Sequence, residues 1–290
     1  MVVFAALISG FLAIISHFIG LFFIIAFGFK YQKQKYVFYS IFIGVIILSY
    51  LFHLIGGSVF VADAFVGVGI TSAIFFYLLF QKFDYLHAIL VTFFVNVAYS
   101  ILRIIVFQKS LLNFLNDAIS QYSQILQTSF PQDSDKLNFA LEALNNAKFI
   151  FTHFTASIWM ISTVSALYLG SLFISKKLVK WNHREIRFPF YLVYLLIVAL
   201  LMTLANQTKY WGINGLIMLF PLFLIQGISI LHFFWGNFFR NSRFLVYLLI
   251  ISMLLNYFLL LLVAFVGLAD VWFNFRKINK MEDVNESHLN

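Results

Sequence analysis

The chain has 290 residues, of which 62% are hydrophobic and only 10% charged, with no cysteine and a formal net charge of +8; its mean hydropathy is +0.94. A water-soluble domain carries about a quarter of its residues as charges, so a soluble fold is excluded, as are disulfides and thiolate metal sites. Lys and Arg gather between long apolar runs, so the basic excess marks membrane flanks and not a nucleic-acid surface.

The apolar runs approach the roughly 20 residues that a helical crossing needs, and no short alternating segments of a barrel occur. The expected fold is all-α, a polytopic transmembrane helical bundle of about eight spans forming a single domain over residues 1–275, with a polar tail at 276–290. Met1 to Phe29 reads as the first span, broken only by Ser9, Ser16 and His17. It lacks a basic n-region and is too long for a signal peptide. Lys30, Lys33 and Lys35 precede a second span, Val37 to Ile55, and Gly56-Gly57-Ser58 turns into a third, Val59 to Phe80. A fourth ends near Phe107.

From Gln108 to Lys148 the pattern changes. Leu111, Phe114, Leu115, Ala118, Ile119, Tyr122, Ile125 and Leu126 recur at helical spacing among Asn, Asp and Gln. This predicts an amphipathic extracytoplasmic helix lying at the interface, broken at Pro131 and followed by a second helix. A fifth span covers Phe149 to Ile174. The strongest basic cluster follows, with Lys176, Lys177, Lys180, Arg184 and Arg187. Pro189 opens the sixth span, where a helix start tolerates proline. The seventh ends near Trp235, and the eighth covers Phe244 to Ala269. With the first Lys turn inside, most basic loop residues fall inside, as the positive-inside rule requires. Eight spans then put Arg276, Lys277 and Lys280 outside, against the rule; either the tail is tolerated there or the count is off by one.

Ionisable groups within spans are costly, and each is a candidate site. Asp63 and Arg103 fall at similar depth near the outer ends of adjacent antiparallel spans. Thr92, Asn96, Tyr99 or Ser100, and Arg103 share one helical face, as do Asp63, Gly67 and Thr71. Two readings stand: a structural ion pair that locks two helices, or a polar pocket in which Asp63, Asn96, Arg103 and His153 contact a solute. His53 and His153 lack metal-ligand spacing, and no metal or cofactor is expected. His17, alone in mid-span, reads as bonding a neighbouring helix. In the seventh span Pro221 frees the Ile217 carbonyl and kinks the helix, while Gln226, Ser229 and His232 line one face as interhelical glue. Ala5, Ser9 and Ala13 in the first span form a small-residue face that allows close approach of a second helix, for docking a membrane partner or for internal packing. No P-loop, G-x-S-x-G, H-E-x-x-H or paired intramembrane aspartates occur, so an enzyme is not expected.

Gln226-Gly227 with His232-Phe233, and Gly267-Leu-Ala-Asp270-Val-Trp272-Phe-Asn-Phe-Arg276, resemble the last two spans of the YybS-like family of uncharacterised bacterial membrane proteins, together with Pro221. The first span departs from the family in lacking a proline. The resemblance implies a multi-pass protein of the bacterial cytoplasmic (inner) membrane. It also implies a distant, fold-level likeness to the substrate-binding subunits of energy-coupling-factor transporters, which would bind a small solute and dock a membrane protein partner through a small-residue face. The alternative is a scaffold or regulatory membrane protein acting through the Gln108–Lys148 and Lys176–Arg187 loops, without transport.

Overall fold

Apolar chain in hydrocarbon satisfies its backbone N–H and C=O groups only by hydrogen-bonding them internally, and this chain does so with helices. The computed structural model describes residues 1–52, 57–130, 134–178, 182–241, 251–252 and 255–278, and no strand occurs among them. The four runs Ser58–Phe80, Tyr85–Ser129, Asp135–Lys177 and Lys209–Gly236 are long and apolar enough to cross a membrane, and five further apolar helices are shorter. The all-α polytopic bundle read from the sequence is therefore the observed architecture. The chain packs as two units, Met1–Phe83 with His87–Lys177, and Asp84–Leu86 with Leu178–Asn290, where the sequence suggests one continuous domain. The division falls at the basic loop.

In the first unit, α1 (Val2–Ile15) ends at Ser16, whose backbone is extended, and α2 (His17–Phe23) starts directly after it. The break reverses the chain. A Cβ on Gly20 would lie 2.7 Å from the Ala13 nitrogen, seven residues away in sequence. Met1, Phe4, Phe23, Phe27, Lys30 and Tyr31 line one shallow depression. The Met1–Phe29 run is thus a hairpin of two short helices and not one span. At 14 residues, α1 is only about 21 Å long, short of the roughly 30 Å hydrocarbon core. Ala5, Ser9 and Ala13 are buried inside this unit, so the chain's own packing occupies the small-residue face expected to dock a partner. α2 continues through a π-helical stretch, Ile24–Gly28, and a 3-10 stretch, Phe29–Gln34. Then α3 (Lys35–Leu51) packs on α1, with Val45 2.8 Å from where a Gly10 Cβ would sit.

The next run comprises α4 (Ser58–Ala62), a π-helical stretch (Asp63–Ile70) and α5 (Thr71–Phe80). Two long helices follow. α6 (Tyr85–Ser129) has 45 residues and α7 (Ser134–Ile174) has 41, about 68 and 62 Å at 1.5 Å per residue. They run antiparallel, since Arg103 bonds Thr155 and the Tyr99 ring lies against Trp159. The amphipathic 108–148 region therefore does not form separate helices lying flat at an interface. α6 continues through it without a break and α7 reaches it across a kink at Phe154 (φ −120°, ψ 19°), forming a two-helix arm longer than any bilayer core. The partly buried Leu111, Leu115, Ala118, Leu126, Leu137, Leu141 and Leu144 recur at helical spacing along it.

In the second unit, α8 (Tyr191–Leu204) turns through 205–208 into α9 (Lys209–Asn241), which runs through Pro221. The last helix, α10 (Tyr257–Phe273), starts at Asn256, whose side chain accepts from the Phe258 and Leu259 N–H groups. α9 and α10 cross at Gly227 and Gly267. A Cβ on Gly227 would strike the Val263 carbonyl, and one on Gly267 the Phe223 carbonyl, so only glycine allows this approach. Gln226 bonds Asp270 and Ser229 bonds Arg276, so the two helices run in the same direction. The expected single span from Phe244 to Ala269 is interrupted in its described part, where the polar Asn256 restarts the helix; 244–250 and 253–254 lie outside the described residues. The parallel course also removes the conflict in charge distribution, because Arg276 ends beside Arg184 and Arg187 of the basic loop.

The hairpin makes a distance prediction. Spin labels at Phe4 and Phe27 would be about 35 Å apart on one continuous helix. Pulsed electron-electron resonance is expected to give less than roughly 20 Å; a distance near the longer value would remove the reversal at Ser16.

Candidate functional site

Two groups of buried polar side chains, one in each unit, collect the residues that the sequence singles out. In the first unit, the π-helical stretch begins with Asp63 and aims Asp63, Gly67 and Thr71 at α6 and α7. Arg103 grips the Asp63 carboxylate with both edges of its fork, Nε to Oδ1 at 2.7 Å and Nη2 to Oδ2 at 2.8 Å. Tyr99 donates to Oδ1 at 2.8 Å, and Arg103 Nη1 donates to Thr155 at 3.3 Å. Two helical turns away, Asn96 donates to the Thr71 hydroxyl at 3.0 Å and to the Thr92 carbonyl at 2.9 Å. Thr71, Thr92, Asn96 and Ser100 are all buried. The shared faces read from the sequence meet one another and close; the bidentate ion pair is present.

Trp159, which the sequence analysis passes over, organises this group. Its ring stacks on His17 with centroids 3.8 Å apart and planes 9° apart, and the Arg103 guanidinium lies 5.0 Å from the ring centre. Gly67 admits the ring, because a Cβ there would overlap its six-membered edge. His17 bonds Thr163 at 3.0 Å, the neighbouring helix its position suggests. Trp159 Nε1 is buried with no hydrogen-bond partner. A signal was available: Trp usually marks membrane interfaces, and Trp159 lies ten residues inside a predicted span. His153 bonds the Phe149 carbonyl on its own helix. His53 lies outside the described residues.

In the second unit the centre is Arg276, whose side chain is fully buried with that of Asp270. The reason is local. Asn274 ends α10 in the left-handed conformation, φ 44°, which turns the chain back along the helix. Arg276 then donates to Asp270 Oδ2 at 2.7 Å, to Ser229 at 2.6 Å, and to the carbonyls of Arg184 and Ile186 at 2.7 and 2.8 Å. Gln226 donates to Asp270 at 3.1 Å and accepts from the Phe188 N–H at 2.9 Å. Arg187 donates to the Val271 carbonyl at 3.2 Å. Pro221, Gln226, Gly227, His232, Gly267, Asp270 and Arg276, picked out as a motif, thus belong to one structural core around the basic loop. Trp272 faces outward, 47% exposed. Asp270 Oδ1 and Arg276 Nε remain without partners.

His232 meets His183 of the loop, Nδ1 to Nδ1, at 3.0 Å. Burial pushes His183 down to about 4 from its ordinary 6.5, with His232 and then Arg276 adding to the shift. At most one of the two facing nitrogens carries a proton, so the pair holds while at least one ring is neutral. Among the described residues no group of three or more His, Cys, Asp or Glu is placed to hold a metal.

Two clefts are lined by residues other than Asp63 and Arg103. One of about 860 Å³ in the second unit is rimmed by Asp84, Asn182, Glu185 and Arg187. Another, of about 570 Å³ in the first unit, lies between the N-terminal end of α3 and the C-terminal end of α5. A third candidate surface is the arm, where Tyr122, Ile125 and Phe139 are 60%, 56% and 75% exposed. The antiparallel register brings Phe139 to within about one helical turn of Tyr122.

Residues 1–271 match the model of a family described as predicted membrane protein DUF2232. No curated protein and no solved structure matches the chain.

Two outcomes test these groups. In a double-mutant cycle, Asp63→Asn and Arg103→Gln are each expected to cost about 3 kcal/mol, because each strands a buried partner. The double variant should lose much less than the sum, measured by unfolding in mixed micelles; additive losses would dissolve the pair. For His183, the folded pKa lies below the unfolded one, so the unfolded chain binds more protons between pH 6.5 and 4. Stability is therefore expected to fall as pH drops through that window, and His183→Gln should flatten the slope in pH-dependent melting.

Proposed function

The chain belongs to the DUF2232 family of predicted membrane proteins, and from that premise we propose that it is a membrane-anchored docking protein acting through protein–protein contact. Its place is the bacterial cytoplasmic membrane, which it crosses several times. The observation that carries this reading is the arm. Two apolar span helices run on toward 130–134, α6 without a break and α7 across a kink at Phe154, well beyond the membrane thickness, and present Tyr122, Ile125 and Phe139 outward. An extension with only this service to the bundle needs no exposed aromatics at its distal half, whereas large apolar side chains are the usual anchors of an interface. The positive-inside distribution puts the arm on the extracytoplasmic side. The Asp63–Arg103 pair serves this reading as a lock, since it joins the π-helical stretch to α6 and, through Thr155 and Trp159, to α7 where the arm emerges.

A second reading, solute binding in the manner of an importer subunit, is favoured by one observation: the unpartnered Nε1 of buried Trp159 beside Arg103. Native mass spectrometry on the gently extracted protein separates the two, because a retained small molecule lost on Arg103→Gln belongs only to the second.

The docking reading predicts that a photo-crosslinking residue at Ile125 or Phe139 captures one and the same protein in intact cells, while one at the partly buried position Leu141 captures much less of it. Replacing 112–147 by a short turn should abolish that product and leave the Asp63–Arg103 coupling intact. Diffuse products from all three positions would overturn it.

A further inference from the structure

The cleft of about 570 Å³ in the first unit has a polarity that the docking reading does not use. It lies between α3 and α5, with Gly28 and Tyr31 on its flank. Lys35 is the one charged residue among those lining it. Tyr39 bonds Ser72, which pairs these antiparallel helices and fixes their relative height. At one end, then, lie Lys35 and Tyr36 of α3 and Tyr77 and Gln81 at the end of α5; at the other lies Ile43, with Ala73 and Ile74 about level with Phe38 between them. From Lys35 to Ile43 the wall descends eight residues, about 12 Å. A cation and hydroxyls therefore sit at the mouth, and mostly carbon lines the depth, where Ser40 and Tyr39, bonded to Ser72, are the polar residues.

The surroundings of the mouth have one sign. Lys30 lies 4.8 Å over the ring of Tyr31, and Lys35 lies 5.2 Å over that of Tyr36. The stretch 29–36 holds Lys30, Lys33 and Lys35 and no acidic residue. The 3-10 turn Phe29–Gln34 holds these lysines together at the start of α3. Basic residues at a membrane surface attract anionic headgroups by about 1 kcal/mol each, and aromatic rings with a polar edge settle at headgroup level.

We propose that this groove is a binding site for an anionic phospholipid, with the phosphate at Lys35 and the Tyr36 and Tyr77 hydroxyls, and one acyl chain along Phe38, Phe76 and Ile43. Charge complementarity selects the anion. The gradient from hydroxyl to hydrocarbon selects an amphiphile over free phosphate, and the open side of the groove admits a lipid from the leaflet at the Lys30–Lys35 end. Such a lipid would fill the wedge between α3 and α5 and brace the hairpin of α1 and α2 behind it.

The test uses the full chain, delipidated in a non-ionic detergent, with phosphatidylglycerol, phosphatidylcholine of the same acyl chains, or inorganic phosphate added back. Native mass spectrometry and the melting temperature are read in parallel. The wild type is expected to retain phosphatidylglycerol over phosphatidylcholine by roughly fivefold or more, and to ignore inorganic phosphate. Lys35→Gln should remove most of that preference, and Lys35→Arg should keep it. Ala73→Phe should reduce retention of both lipids by filling the groove beside Phe38. Equal retention of the two lipids by the wild type, or a preference untouched by Lys35→Gln, would overturn the site and leave only an annular lipid. An equal response to inorganic phosphate would overturn the acyl-chain half. None of these readouts involves the arm, so they stand or fall apart from docking.

Discussion

A charge placed in hydrocarbon must find an opposite charge and enough hydrogen bonds, or it is not tolerated. Each of the two units is built around one solution to that constraint. In the first, Asp63 and Arg103 satisfy one another and recruit Tyr99, Thr155 and Trp159 from two helices. In the second, Asp270 and Arg276 do so while Arg276 also satisfies two loop carbonyls. The apolar surfaces are interchangeable by comparison, because lipid tails are as apolar as Leu and Phe and give little preference for one helix neighbour over another. Polar pairing and glycine crossings therefore carry most of the specificity. The Gly227–Gly267 crossing lets α9 and α10 come close enough for Gln226 and Asp270 to meet.

How legible this was in the amino-acid sequence depends on the range of the interaction. Shared helical faces are local, so the alignment of Asp63, Gly67 and Thr71, and of Asn96, Tyr99 and Arg103, could be read from spacing alone. The ion pair then followed from depth. The hairpin at Ser16 could not be read this way, because a hydrophobic run of 29 residues has the composition of one span whether or not it reverses. Its cause is the fit of Gly20 against Ala13, a contact that periodicity does not encode. The same blindness affected Asn256, a helix-starting residue hidden in an otherwise apolar stretch. The surplus of positive charge at Arg276 and Lys277 on the wrong side was the trace of that missed break.

The arm shows a different limit. Its amphipathic pattern was visible, yet an amphipathic helix at an interface and one paired with a second helix have the same period. The decision rests on whether the helix stops at the membrane. No glycine or proline lies between Phe107 and Phe130, and the helix continues. The buried seam and the exposed aromatics then separate into two roles: the first holds the arm together, and the second gives it a surface to offer.

The latch made by Arg276 has a consequence for the order in which the protein is completed. The carbonyl it satisfies at Arg184 leaves the ribosome 92 residues earlier, roughly 5 to 18 seconds at ordinary rates of bacterial synthesis. Through that interval the loop carbonyls, joined halfway by the Ser229 hydroxyl 47 residues before Arg276, wait for the arginine, while the Asp63–Arg103 pair, 40 residues apart in sequence, is already made. The first unit can thus become a finished body in the membrane before the second has its central cation. The second closes only once the arginine beyond Asn274 has been made, swings in and turns a row of waiting acceptors into a core.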